Sequence, residues 1–178
     1  MLTNRIALIG YRGSGKSTVG RELATHLGYP LADSDDAIEA SASKSIAQIF
    51  DQGGEPEFRR LEEIVISQLL ESSPLVLALG GGAVLSDVTQ SRLRSKTFVI
   101  WLRAPAAVLT ERIRGDEATA TRRPSLTALD AQAEVQALLA KREPIYEELA
   151  NASVDTAQRA IQEVVGEILQ LLSHPDPL

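Results

Sequence analysis

Short continuous apolar runs alternate along this chain with stretches in which apolar residues recur every three or four positions. That is the pattern of strands buried on both faces and of helices laid over them. Arg5 to Ile9 is the first such run, and Ser17 to Leu27 follows as a helix with Val19, Leu23, Ala24 and Leu27 on one side. Tyr29 to Ala32 reads as a second, weaker strand ending in Asp33-Ser34-Asp35. Asp36 to Phe50 carries Ile38, Ile46, Ile49 and Phe50 in a helical region that Gly53-Gly54 breaks. Glu55 to Leu70 is the clearest amphipathic helix, with Phe58, Leu61, Ile64, Val65 and Leu69 on one face. Leu75 to Leu79 is apolar throughout and stops at Gly80-Gly81-Gly82; Thr97 to Leu102 is a further strand, and Ala106 to Ile113 a helix after Pro105. Arg114 to Thr127 is polar and aperiodic, a candidate lid. Asp130 to Ala150 returns to helix with Pro144 as a kink or boundary, Val154 marks a last strand, and Ala160 to Leu172 closes the fold. The pattern predicts an α/β fold in one domain over residues 1–173, with 174–178 a frayed tail.

Composition narrows the class. A chain of 178 residues suits one domain with a real core, and 44% apolar and 24% charged residues are ordinary for a globular protein. A net charge of -6 argues against a nucleic-acid partner held by bulk electrostatics, so any anion site must gather its arginines locally. The absence of cysteine excludes disulfides, thiolate metal sites and Cys nucleophiles. The apolar run Ile6 to Ile9 is too short for a signal peptide, and no stretch approaches the roughly 20 apolar residues of a membrane span. A cytoplasmic enzyme with no membrane partner is the expectation.

The most specific motif is Gly10-Tyr11-Arg12-Gly13-Ser14-Gly15-Lys16-Ser17, a full match to G-x-x-x-x-G-K-[ST], followed by Thr18. It lies between an apolar strand and an amphipathic helix, the context in which such a loop binds nucleotide phosphates. Its glycines let successive N–H groups point at phosphate oxygens, and the helix N-terminus adds partial positive charge. Gly13, Ser14, Gly15, Lys16, Ser17 and Thr18 are therefore the predicted ATP contacts. Lys16 reaches the β- and γ-phosphates, and the Ser17 hydroxyl ligates Mg²⁺. A GTPase is excluded because no Asn-Lys-x-Asp motif exists; the only asparagines are Asn4 and Asn151.

The acceptor side is less specific. Asp33 and Asp35 sit just past the second strand, at the carboxyl edge where parallel sheets bind ligands. They divide Mg²⁺ support from handling of an acceptor hydroxyl, one leaning to the metal and the other to the acceptor; helix capping is the competing reading. Arg59, beside the inward Phe58–Leu61 seam, is a solvated charge or a bidentate carboxylate partner. Gly80-Gly81-Gly82 gives backbone that a ligand can approach closely. Arg122-Arg123-Pro124 falls in the lid, where an arginine can close over the transferring phosphate; Arg142 lies in the helix beyond. His26 and Trp101 read as surface and core.

Taken in order, GYRGSGKST, ADSD, FRRLE, LGGGAV, RRP and KREPIY resemble shikimate kinase, and they cover nearly the whole chain. The resemblance implies a P-loop kinase fold with a five-stranded parallel sheet, and transfer of the ATP γ-phosphate to the 3-hydroxyl of shikimate. It implies that Asp35 holds the shikimate hydroxyls at the acceptor and that Asp33 supports Mg²⁺. Arg59 and Arg142 grip the shikimate carboxylate with Gly81 and Gly82 alongside, and Arg123 is the lid arginine on the ATP phosphates. Lys16, Asp35 and Arg123 form the implied catalytic set; a monomer with a small-molecule partner is the separate expectation. One departure is visible: the segment between Arg112 and Arg123 is a few residues longer than the usual family lid, and the common Arg-Pro-Leu-Leu reads Arg123-Pro124-Ser125-Leu126. A gluconate-type kinase, or a nucleotide-dependent binding module without turnover, is the alternative.

Overall fold

A computed structural model describes residues 4–115 and 131–173. Its strands are β1 (Arg5–Ile9), β2 (Leu31–Asp33), β3 (Leu75–Ala78), β4 (Phe98–Arg103) and β5 (Ala152–Asp155). The helices are α1 (Lys16–Leu27), α2 (Ser34–Ala42), α3 (Ile46–Leu69), α4 (Asp87–Lys96), α5 (Ala106–Arg114), α6 (Ala131–Leu149) and α7 (Ile161–Ser173). A short 3₁₀ turn spans Ala83–Leu85. The sheet order is β2-β3-β1-β4-β5 and every pairing is parallel. β1 thus lies in the middle, flanked by β3 and β4, and its carboxyl end opens at the centre of the edge where such sheets bind ligands.

Strand periodicity sorts the core into two layers. Ile6 and Leu8 of β1 turn to the face covered by α1 and α7, where they join Val19, Leu23, Val164 and Ile168. Ala7 and Ile9 turn to the other face, with Leu77, Trp101, Ile66, Leu109 and Tyr146. Trp101 is core, as its strand position predicts. His26 lies in the last turn of α1 and is exposed. Among the described residues, no helix is long and apolar enough to cross a membrane.

The region between β2 and β3 departs from the sequence expectation. A single helical region over Asp36 to Phe50 does not form. Instead α2 begins at Ser34 and stops at Ser43, which adopts a left-handed conformation, and α3 restarts behind Ser45. Ser45 and Gln48 make a reciprocal capping box there. The break expected at Gly53-Gly54 is real but local: Gly54 (φ 68°, ψ -173°) kinks α3, which continues to Leu69. Pro144 sets no boundary, and α6 runs on through it to Leu149. Asp33-Ser34-Asp35 is extended only at its first residue; Asp33 caps α2 by accepting from the Asp35 N–H at 2.9 Å, and Asp35 lies in the first helical turn. The capping that competed with catalysis in the sequence falls to Asp33. The expected lid at 114–127 and tail at 174–178 lie, but for residues 114 and 115, outside the described residues.

The α2–α3 arm has its own small core of Ile38, Ile46, Ile49, Phe58 and Val65, with Phe50 stacked on Phe58 at 4.8 Å between ring centroids. Phe58 is fully buried at the kink that aims the following turns of α3. Phe58→Ala is expected to cost about 3–5 kcal/mol of unfolding free energy in urea titration. A loss below about 1 kcal/mol would show that this cluster does not hold the arm.

Candidate active site

The loop between β1 and α1 folds back tightly because its glycines take conformations closed to other residues. Gly10 (φ 142°) passes so near β4 that a Cβ there would lie 2.3 Å from the Leu102 carbonyl oxygen. Gly15 (φ 92°) is the left-handed N-cap of α1. Lys16 leads the helix, and its ammonium donates to the carbonyls of Gly10 and Tyr11, both at 2.9 Å, and to Ser14 Oγ at 3.3 Å. One turn's start away, Ser17 Oγ donates to Asp33 Oδ2 at 2.6 Å. Strands β1 and β2 are separated by β3, so this bond spans the sheet edge.

These residues fit MgATP. Backbone N–H groups at a helix start suit phosphate oxygens, and Ser17 with Asp33 is a hard oxygen pair of the kind Mg²⁺ takes alongside phosphates and water. Among the described residues no cluster of three or more His, Cys, Asp or Glu side chains is suited to a metal.

The acceptor wall lies beside the loop. Ser34, fully buried, accepts the Gly80 N–H at 2.8 Å and ties the turn after β3 to the start of α2, next to Asp35. Gly81 meets the phosphate loop itself: a Cβ on it would lie 3.2 Å from the Arg12 nitrogen and 3.3 Å from the Gly10 oxygen. Gly82 leaves room for Arg59, whose Nη2 would lie 2.5 Å from a Cβ at that position. Arg59 Nη1 donates to the buried Glu62 at 2.6 Å and Nη2 to Glu55 at 3.2 Å. Burial works against the Arg59 charge, but Glu62 and Glu55 outweigh it and hold its pKa above the usual value.

Arg142 arrives from α6 on the other side of the same turn, with Nη1 donating to the Gly81 carbonyl at 3.3 Å. Tyr146, one turn on, donates to that carbonyl at 2.6 Å. Burial pushes the Tyr146 pKa up to about 12, so its hydroxyl stays protonated and remains a donor. Arg59 at Gly82 and Arg142 at the Gly81 carbonyl thus both reach the glycine turn.

One cleft of about 470 Å³ is lined by the phosphate loop together with Asp33, Asp35, Gly80 and Gly81, whereas Arg59, Gly82 and Arg142 are not in its lining. Arg112, Thr156, Arg159 and Ile161, which the sequence did not single out, line it as well. Arg112 donates to Thr156 O at 2.6 Å and to Gly13 O at 3.3 Å, bridging the phosphate loop to the end of β5. The carboxyl-edge rule applied to β5 would have found Thr156; no local pattern marks Arg112. Arg123, with Arg122, lies outside the described residues.

Comparison with known proteins agrees with this geometry. The sequence model of the family described as shikimate kinase matches residues 12–173. The chain is 44% identical over 173 residues to the shikimate kinase of Mycobacterium tuberculosis, covering 97% of this chain and 96% of that protein. It superimposes on the shikimate kinase of Acinetobacter baumannii, solved in complex with shikimate, with a TM-score of 0.88 and 35% identity over 95% of this chain and 92% of that one. A gluconokinase from Sinorhizobium meliloti 1021 shares the fold at a TM-score of 0.59 and 21% identity, with 97% of this chain and 93% of that one covered. The phosphate loop, the paired arginines and the family match over most of the length point the same way: the chain belongs to the shikimate kinase family.

Proposed function

We propose that this protein transfers the γ-phosphate of MgATP to the 3-hydroxyl of shikimate, giving ADP and shikimate 3-phosphate, as a single-domain cytoplasmic monomer. The observation that carries the reading is the one cleft in which the Lys16–Ser17–Asp33 wall and the Asp35–Gly81 wall face each other. The loop backbone from Gly13 to Thr18 holds the phosphates. Lys16 leaves its carbonyl partners and turns to the β- and γ-oxygens. Mg²⁺, held through Ser17 and Asp33, supplies charge neutralisation on the phosphates when bound.

Arg59 and Arg142 take the acceptor carboxylate, which places the ring between the glycine turn and Asp35. Asp35 orients the acceptor hydroxyl and accepts its proton as the oxygen–phosphorus bond forms. Arg123 of the lid neutralises charge on the transferring group and excludes water. Most of the rate comes from positioning and charge, since little covalent work falls to the protein.

ADP release by the purified protein with MgATP, with shikimate and gluconate in parallel, tests the proposal. Stimulation by shikimate alone is expected; nucleotide binding without stimulation by shikimate would sink it. Asp35→Asn is expected to lose roughly 10²–10⁴ of kcat while keeping nucleotide affinity; near-normal turnover would remove Asp35 from its role. Gly82→Ala forces the Arg59 guanidinium aside, so the KM for shikimate is expected to rise about tenfold or more, the scale of one charge-assisted contact. Equal rises in the KM for ATP and for shikimate would contradict the clamp.

A further inference from the structure

Tyr11 occupies the first variable position of the phosphate loop, where nucleotide binding asks for backbone and not for a side chain. Its carbonyl serves the loop, accepting from Lys16 at 2.9 Å and from the Ser14 N–H at 3.1 Å. Its side chain goes elsewhere. The ring is buried, 7% exposed, and does not line the nucleotide cleft. It enters the gap between β4 and α6, beside Trp101, Leu109 and Leu139. There the Arg142 guanidinium carbon stands 5.4 Å from the Tyr11 ring centroid, within the range of a cation–π contact. The same arginine donates to the Gly81 carbonyl, and Gly81 itself abuts the Gly10–Arg12 backbone.

Phosphate loop, glycine turn and acceptor arginine therefore meet at this one residue, the turn at its backbone and the arginine at its ring. An arginine at the end of a long flexible stem has many rotamers; the ring face and the Gly81 carbonyl together leave it one direction. We propose that Tyr11 is a positioning residue for the acceptor: its ring holds Arg142 in the orientation that receives the substrate carboxylate. The contact uses the π face, so the hydroxyl is not required. The inference rests on the reading of Arg142 as a carboxylate ligand, and its test separates the two.

Steady-state kinetics on Tyr11→Leu, Tyr11→Phe and Arg142→Ala, with melting temperatures recorded alongside, decide the matter. Tyr11→Leu keeps apolar volume and loses the quadrupole, so its KM for shikimate is expected to rise about fivefold with the KM for ATP within about twofold of wild type. Tyr11→Phe keeps the face and is expected to restore both values to within about twofold of wild type. If Tyr11→Leu does not fold, Tyr11→Met takes its place with the same expectation. An unchanged shikimate KM in the Leu or Met variant, equal rises for both substrates, or a Phe variant as impaired as Leu would overturn the positioning role. Should Arg142→Ala leave the shikimate KM unchanged, the carboxylate reading itself fails. A raised KM in Arg142→Ala beside a normal Tyr11→Leu would overturn the Tyr11 role alone.

Discussion

Everything in this site depends on how closely the phosphate loop lies against the turn that follows β3. β1 and β3 are neighbours in the sheet, so their carboxyl ends emerge side by side. Two loops leaving adjacent strands ordinarily keep a side chain's width between them. Here Gly81 removes that width: even a methyl group would stand 3.2 Å from the Arg12 nitrogen. Donor and acceptor walls are thereby brought into one cleft, and a hydroxyl held on one side can face a phosphate held on the other. The α2 start is locked to the same turn by the Ser34–Gly80 bond, so Asp35 shares the reference frame.

The charged groups of the cleft and of the adjoining glycine turn are already held in place by protein partners. Lys16 rests on loop carbonyls, Ser17 on Asp33, Arg59 on Glu62 and Arg142 on Gly81. Ligand binding then exchanges one set of partners for another and orders few side chains, which lowers the entropic cost of forming the reactive arrangement. The Arg59–Glu62 pair is the most buried of these, and its value lies in direction more than in stability: an isolated buried ion pair roughly breaks even against desolvation. The arm that carries it is stabilised separately, by the Phe58 cluster.

Much of this was legible in the sequence, for physical reasons. The strands are continuous apolar runs because both faces are covered, and the phosphate loop declares itself because its glycines and lysine have no substitutes. Arg59, Asp35 and the triple glycine stood out by their place beside apolar elements. The α2–α3 corner was misread because Ser43 in a left-handed conformation and the Ser45–Gln48 box interrupt a pattern whose apolar spacing runs on regardless. Of the kink or boundary that Pro144 offered, the boundary is not made, and α6 runs through it. Arg112 and Tyr11 were invisible because their roles come from contacts distant along the chain, to Thr156 and to Arg142.

The most direct measurement is a crystal structure of the protein with MgADP and shikimate bound together. The shikimate carboxylate is expected between Arg59 and Arg142, with an Asp35 oxygen within about 2.6–3.2 Å of the acceptor hydroxyl, on the side facing the nucleotide phosphates. A carboxylate lodged instead on Arg112 or Arg159, or an Asp35 out of reach of every ring hydroxyl, would contradict that placement.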